Sequence, residues 1–248
     1  MDWNPEQYDK FRAAREQPFA DVVGLVDGTR LRRVVDLGCG PGNLTRRLAE
    51  KFRDADIVGI DSSPAMLAQA APLGGLHLRF AQATIEEFAA GGGVDGSFDL
   101  IFSNAALHWV NDHEHVVPKL VERLGIEGQI AVQLPTDDYN PARVIFSDVA
   151  GWRYQMGTLD IAMYAELLND AGLDDLTVFE KIYPHILPDA DAVLEWAKGT
   201  ALLPYLERLP PGQHAHYLDE VRRRLQAKYT GRPVFFPFRR IIFYGRRA

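Results

Sequence analysis

One cysteine, Cys39, occurs in the 248 residues. A lone thiol excludes an intrachain disulfide and a cysteine-built zinc cluster, and it suits a reducing compartment. Long apolar runs are missing too. No stretch approaches the roughly 20 uninterrupted apolar residues a membrane helix needs. The opening Met1-Asp-Trp-Asn-Pro-Glu-Gln7 has neither the basic flank nor the apolar run of a secretion signal. The expected compartment is therefore the cytoplasm, with no membrane partner. Positive charge is scarce as well: 27 Lys and Arg face 34 Asp and Glu, a formal net charge of −7. That argues against nucleic acid as a partner, because phosphate neutralisation demands an excess of cations on the binding face. Low complexity is confined to Gly91-Gly-Gly93, and no internal repeat occurs. With 47% hydrophobic and 25% charged residues, the chain reads as one globular domain with a large core, with room for a small subdomain.

Seven segments read as strands: Arg33–Leu37, Asp56–Asp61, Leu76–Phe80, Phe98–Phe102, Gln129–Leu134, Leu176–Tyr183 and Arg240–Tyr244. Helical patterns begin near Asn43, at Ser62-Ser-Pro64 with a hydroxyl cap before a first-turn proline, and near His113. Such alternation predicts an α/β fold, a doubly wound and mostly parallel seven-stranded sheet with helices on both faces. Before the last strand the alternation breaks. Asp191–Lys198, a Pro-Pro-Gly break at Pro210 and an amphipathic stretch from His214 to Tyr229 form an insertion too long for an ordinary connection. The expected organisation is a helical cover over residues 1–30, a core over 31–184 and 233–248, and a helical cap over 185–232.

Gly38-Cys-Gly-Pro-Gly42 lies between the first strand and the first core helix, where glycines permit a tight turn and a close approach of backbone to a ligand. A dinucleotide fold would carry Gly-x-Gly-x-x-Gly and aim a helix end at a diphosphate. Here the spacing is Gly-x-Gly-x-Gly, and Asp36 stands two residues before the first glycine. Its carboxylate opposes a diphosphate and suits an amino group or a sulfonium, both present in S-adenosylmethionine. Asp61 ends the second strand, at the crevice where an acid can accept from both ribose hydroxyls. The bland reading makes Asp61 a helix cap only.

Val34-Val-Asp-Leu-Gly-Cys-Gly-Pro-Gly-Asn43, followed by Gly59-Ile-Asp-Ser-Ser-Pro-Ala-Met-Leu67, resembles the class I S-adenosylmethionine-dependent methyltransferases over about residues 30 to 135. The resemblance implies a Rossmann-like fold and that cofactor. It places Asp36, Gly38 and Gly40 by the methionine part, Asp61 by the ribose and Met66 by the adenine. Where the family often ends its third strand in Asp, this chain has Thr84, whose hydroxyl would meet the adenine amino group while the Ile85 N–H serves the ring. Cys39, Asn43, Ser62 and Asn104 adjoin these positions and complete the expected core set. Tyr8 and Arg15 are expected to reach the cofactor from the N-terminal cover.

Beyond the fourth strand, Ser103-Asn-Ala-Ala-Leu-His-Trp109 borders the same crevice. His108 can orient or partly neutralise an anion, and Trp109 offers a flat apolar wall with one donor. Their bland reading is a capping histidine and a buried aromatic. His113 and His115 flank Glu114, but helical periodicity sends them to different faces, so no metal is expected. With the opening Trp-Asn-Pro and Gln133-Leu-Pro135, the segment is similar to the trans-aconitate 2-methyltransferase family. That likeness implies a small di- or tricarboxylic acid as acceptor, with Trp3, His108, Trp109, Arg143, Arg153 and Lys198 as candidate substrate contacts and positioning by His108 and Trp109. A carboxylate is already ionised at neutral pH, so no catalytic base is required. Two alternatives stand beside it: a carrier-bound acyl acid or another oxygen or nitrogen acceptor, and a silent cofactor-binding module. A monomer is compatible with all of these.

Overall fold

The computed structural model describes residues 12–136 and 140–248, with side chains from Gln17 onward. Trp3 and Tyr8 lie outside the described residues, and of Arg15 only the helical backbone is described. Seven strands, β1 (Arg33–Leu37), β2 (Asp56–Asp61), β3 (Leu78–Gln82), β4 (Phe98–Asn104), β5 (Leu124–Pro135), β6 (Leu173–Leu187) and β7 (Val234–Arg247), form one sheet in the order β3-β2-β1-β4-β5-β7-β6. Neighbours from β3 to β5 are parallel, and β7 runs antiparallel to β5. The order in which successive strands are added reverses between β1 and β4, and such a switch point opens a crevice at the carboxyl ends of those strands.

The described helices are α1 (Arg12–Leu25), α2 (Asn43–Lys51), α3 (Pro64–Ala70), α4 (Ile85–Ala89), α5 (His113–Glu122), α6 (Pro141–Ala150), α7 (Ile161–Asp170), α8 (Ala190–Lys198), α9 (Leu203–Arg208) and α10 (His214–Lys228). The last three fill the connection between β6 and β7. Two compact units result. The first holds Arg15–Pro135, Gly157–Lys181 and Arg240–Ala248, and the second holds, among the described residues, 12–14, Thr136–Met156 and Ile182–Arg239. No described helix is long and apolar enough to cross a membrane.

Alternation along the strands of the first unit gives it two cores. Val35, Leu37, Val58, Ile60, Ile101, Ile130 and Val132 bury one face against residues of α4, α5 and α7. Val34, Ile57, Leu100, Phe102, Ala131 and Ile242 bury the other against Phe19, Val22 and Val23 of α1 and Leu48 of α2. Strands apolar on both faces are what a sheet covered on two sides requires. The second unit has its own cluster, in which Phe146, Tyr183, Trp196, Tyr205, Tyr217 and Phe236 are buried together.

The sequence reading starts β3 at Leu76, but the strand begins at Leu78 and Leu76 is 92% exposed. Gly75 bridges back to Leu78 there, so the turn takes up the two residues that alternation assigned to the strand. Strands β6 and β7 also run longer than their apolar segments. The cap before α3 is as expected: Ser63 Oγ accepts from Met66 N at 3.3 Å, ahead of Pro64.

His113, first residue of α5, is fully buried and ties two elements of the first unit together. Its Nε2 lies 2.9 Å from the Leu107 carbonyl and its Nδ1 lies 2.5 Å from the Tyr164 hydroxyl. A carbonyl only accepts, so Nε2 carries the proton and Nδ1 accepts from Tyr164. Burial lowers the His113 pKa and keeps the ring neutral. Below its ordinary pKa near 6.5 the unfolded chain binds a proton that the folded chain does not, so this histidine's contribution to stability falls as pH drops through that range. Replacing His113 by Phe leaves the Tyr164 O–H without its acceptor, at about 1–3 kcal/mol for an orphaned donor, and removes one of two donors to the Leu107 carbonyl, which keeps Val110 N at 2.9 Å. Urea unfolding at pH 7.5 and 5.5 should show the variant less stable than wild type at both, with a smaller gap at pH 5.5.

Candidate active site

The glycine loop is clamped from β2. Gly38 N and Cys39 N both donate to the Ile60 carbonyl, at 2.8 and 2.9 Å, and Gly42 N donates to the Cys39 carbonyl at 3.1 Å. Asp61 completes the clamp with its side chain: Oδ2 accepts from Gly40 N at 2.8 Å and Oδ1 accepts from Ser63 N at 2.9 Å. The carboxylate thus links the loop after β1 to the start of α3.

Gly38 has φ +69°, and a Cβ there would stand 2.2 Å from the Cβ of Ala106, just beyond β4. Only glycine lets these two crevice walls meet. Gly40 has φ +56° and differs in what surrounds it: nothing lies within 4 Å of where its Cβ would be. Steric exclusion does not explain that glycine. Open space over a left-handed glycine leaves its backbone bare to an approaching ligand.

Asp36 is 3% exposed, and its Oδ2 accepts from Thr45 Oγ1 of α2 at 2.6 Å. Burial, reinforced by the charge of Asp61, pushes its carboxyl up to about 7, against the opposing Thr45 hydrogen bond. Cys39 is buried at the same turn, and burial together with Asp36 and Asp61 raises its thiol far above the ordinary range. It is no nucleophile. Met66 is buried on α3, and Asn43 opens α2 behind the loop. Ser62 is exposed next to Asp61.

Thr84 caps α4 in a reciprocal box: its Oγ1 accepts from Glu87 N at 3.0 Å, and Glu87 Oε2 accepts from Thr84 N at 2.8 Å. Ile85 is buried at the first turn of that helix. At the end of β4, Asn104 is buried with its Oδ1 lacking a hydrogen-bond partner among the described residues. Ala105 follows at φ +58°, its N–H donating to the Gln133 carbonyl at 2.8 Å. That strained residue turns the chain into a 3-10 turn over Leu107–Trp109, where the His108 and Trp109 rings lie 4.6 Å apart. His108 is buried and Trp109 half-buried.

Asp36, Cys39, Asn43, Asp61, Met66, Thr84, Asn104, His108 and Trp109 therefore all belong to the first unit. Arg143, Arg153 and Lys198 belong to the second. Arg143 Nη2 lies 3.3 Å from Met156 Sδ, and Lys198 Nζ pairs with Glu195 at 2.5 Å. His115 pairs with Asp112 at 2.6 Å on the exposed side of α5. Among the described residues no group of three or more His, Cys, Asp or Glu is placed to hold a metal ion. The sequence reading did not find the Ile60 carbonyl clamp, the His113 tie or any role for Gln133, whose signal was a polar residue breaking an apolar strand.

The crevice set fits a cationic ligand. Two acids, one of them buried, stand by a bare glycine backbone, and an unsatisfied acceptor waits on Asn104. A diphosphate would meet repulsion, whereas the amino and sulfonium groups of S-adenosylmethionine would meet complementary charge.

Comparison with known proteins agrees. A family described as a methyltransferase domain matches residues 34–128. The chain is 40% identical to the trans-aconitate 2-methyltransferase of Deinococcus radiodurans, over 100% of this chain and 99% of the other. It is 36% identical to that of Variovorax paradoxus, over 99% and 96%. Among solved structures, YcgJ of Bacillus subtilis superposes with TM-score 0.63 at 16% identity, covering 94% of this chain and 99% of that one. A Haemonchus contortus phosphoethanolamine N-methyltransferase 2, solved with S-adenosyl-L-methionine, gives TM-score 0.61 at 16% identity, over 94% and 52%. Full-length identity of this order, together with the acid-flanked glycine loop, shows that the chain belongs to the trans-aconitate 2-methyltransferase family.

Proposed function

We propose that this chain transfers a methyl group from S-adenosylmethionine to one carboxylate of a small di- or tricarboxylic acid, trans-aconitate being the first candidate. The observation that carries the reading is 40% identity along the whole chain to a relative bearing that name. When bound, the cofactor supplies an electrophilic methyl group on a sulfonium. Asp61 is to accept from the ribose hydroxyls while keeping Gly40 and Ser63 in place. Asp36 is to face the positive end of the cofactor, and Met66 the adenine. His108 and Trp109 are to position the acceptor.

An ionised carboxylate needs no base, so the chain's contribution is alignment and exclusion of water. Orientation of two bound reactants lowers a barrier by about 7–11 kcal/mol, far more than one hydrogen bond of about 1 kcal/mol. The test is direct. Purified protein with labelled cofactor and a panel of free acids should yield a product one methyl group heavier that reverts on mild alkaline hydrolysis. Turnover of an acyl carrier or an amine, with none of the free acids, would replace this reading.

Asp36 makes cofactor binding depend on pH. Its carboxyl in the ligand-free protein titrates at about 7. A cationic ligand favours the ionised form, so binding releases a proton below that pH. Affinity should rise up to about tenfold per unit as pH increases toward 7 and flatten above it. Calorimetry in two buffers of different ionisation enthalpy should detect the released proton for wild type and not for Asp36→Asn. A binding enthalpy independent of buffer at pH 6.5 counts against this role.

A further inference from the structure

We infer that Gln133 and Arg240 recognise a carboxylate of the methyl acceptor other than the one methylated, an inference that rests on the acceptor being a polycarboxylic acid. The register places them together. Asp36 of β1 pairs with Phe102 of β4, and two residues on, Asn104 pairs with Gln133 of β5. Gln133 in turn pairs with Ile242 of β7, two residues beyond Arg240, which stands opposite Pro135 at the carboxyl end of β5. Paired residues and alternate residues share a face, so Asp36, Asn104, Gln133 and Arg240 project from one face at the crevice end of the sheet.

Away from the crevice that face carries Val34, Leu100, Ala131 and Tyr244, and its buried Gln129 is hydrogen-bonded to the Asp27 backbone and the Tyr244 hydroxyl. At the crevice end, by contrast, Asn104 Oδ1 has no such partner among the described residues. Gln133 is 1% exposed and Arg240 5% exposed. Among the described residues Gln133 Nε2 has no hydrogen-bond partner. A buried donor left unsatisfied is unfavourable, and native structures keep few of them without a reason.

Arg240 is the diagonal neighbour of Gln133, about 7–8 Å away and within reach of long side chains. The Arg240 guanidinium and the Gln133 Nε2 amide bring N–H donors and a positive charge to one place, which suits an anion with two oxygens. The two acids that suit a cation, Asp36 and Asp61, lie on β1 and β2, whereas β7 is three strands from β1. At about 4.8 Å per strand that is about 14 Å across the sheet. The separation puts the anion-selecting pair to one side of the cofactor's cationic end, where a second carboxylate on the acceptor would fall.

The experiment uses the full chain with trans-aconitate and with an analogue in which one carboxylate is replaced by a methyl group. Gln133→Met keeps the volume and removes the donor; Arg240→Gln removes the charge. We expect KM for trans-aconitate to rise about tenfold in the first and more in the second, with kcat and the affinity for S-adenosylhomocysteine within twofold of wild type. Wild type should prefer the triacid over an analogue lacking the recognised carboxylate, and Arg240→Gln should abolish that preference. Unchanged KM and unchanged preference in folded variants overturn the inference and leave the methyl-transfer reading intact. A loss of S-adenosylhomocysteine affinity without a change in KM overturns it too and assigns the pair to the cofactor. Wild type that methylates no free acid overturns both. Should Arg240→Gln fail to fold, Gln133→Met with the two acceptors decides alone.

Discussion

The end of β2 holds the site in place. Ile60 offers one carbonyl to two N–H groups of the glycine loop, and Asp61 offers one carboxylate to a third, on Gly40, and to a fourth, on Ser63. A turn built on left-handed glycines has little conformational preference of its own, so its shape must be imposed from outside. Here it is imposed by a neighbouring strand whose position is fixed by parallel pairing with β1. Gly38 then meets Ala106 across the crevice, which locks the loop after β1 to the turn after β4. His113 fixes the far side of that turn through Leu107. The chain of contacts from β2 to the His108–Trp109 turn is thus short and made mostly of backbone.

The same clamp carries an electrostatic cost. Asp36 is buried against Thr45 and repelled by Asp61, and its carboxyl titrates at about 7 rather than in the ordinary range. Between about pH 4 and 7 the folded chain holds that proton and the unfolded chain does not, so ionising Asp36 lowers stability as pH rises. A structural role alone gives no reason to keep such a group, whereas a cationic ligand converts the unfavourable charge into affinity. Strain of this kind concentrates at functional sites.

The local part of this arrangement was legible in the sequence. Strand, glycine turn, helix and second strand with its terminal acid follow one another within thirty or so residues, and each is dictated by periodicity and turn chemistry. The cap at Ser63 was readable for the same reason. Thr84 shows where a likeness and a local signal compete: Thr-Ile-Glu-Glu87 carries the spacing of a capping box, and the hydroxyl does form one. That Gln133 and Arg240 share a face was not legible, because it depends on the β5–β7 register across more than a hundred residues. His113 was weighed only for a metal. Its actual partners, Leu107 and Tyr164, come from a turn and from a helix about fifty residues later.

The central claim is that Asp61 serves the loop and the cofactor at once, and calorimetry of S-adenosylhomocysteine binding to wild type and to Asp61→Ala tests it most directly. Removing a charged acceptor from two ribose hydroxyls and from the Gly40 N–H should weaken binding by at least about 1.5–3 kcal/mol, tenfold to over a hundredfold. Asp61→Asn should fall between, since it keeps one oxygen. Equal affinity of wild type and a folded Asp61→Ala would contradict the account.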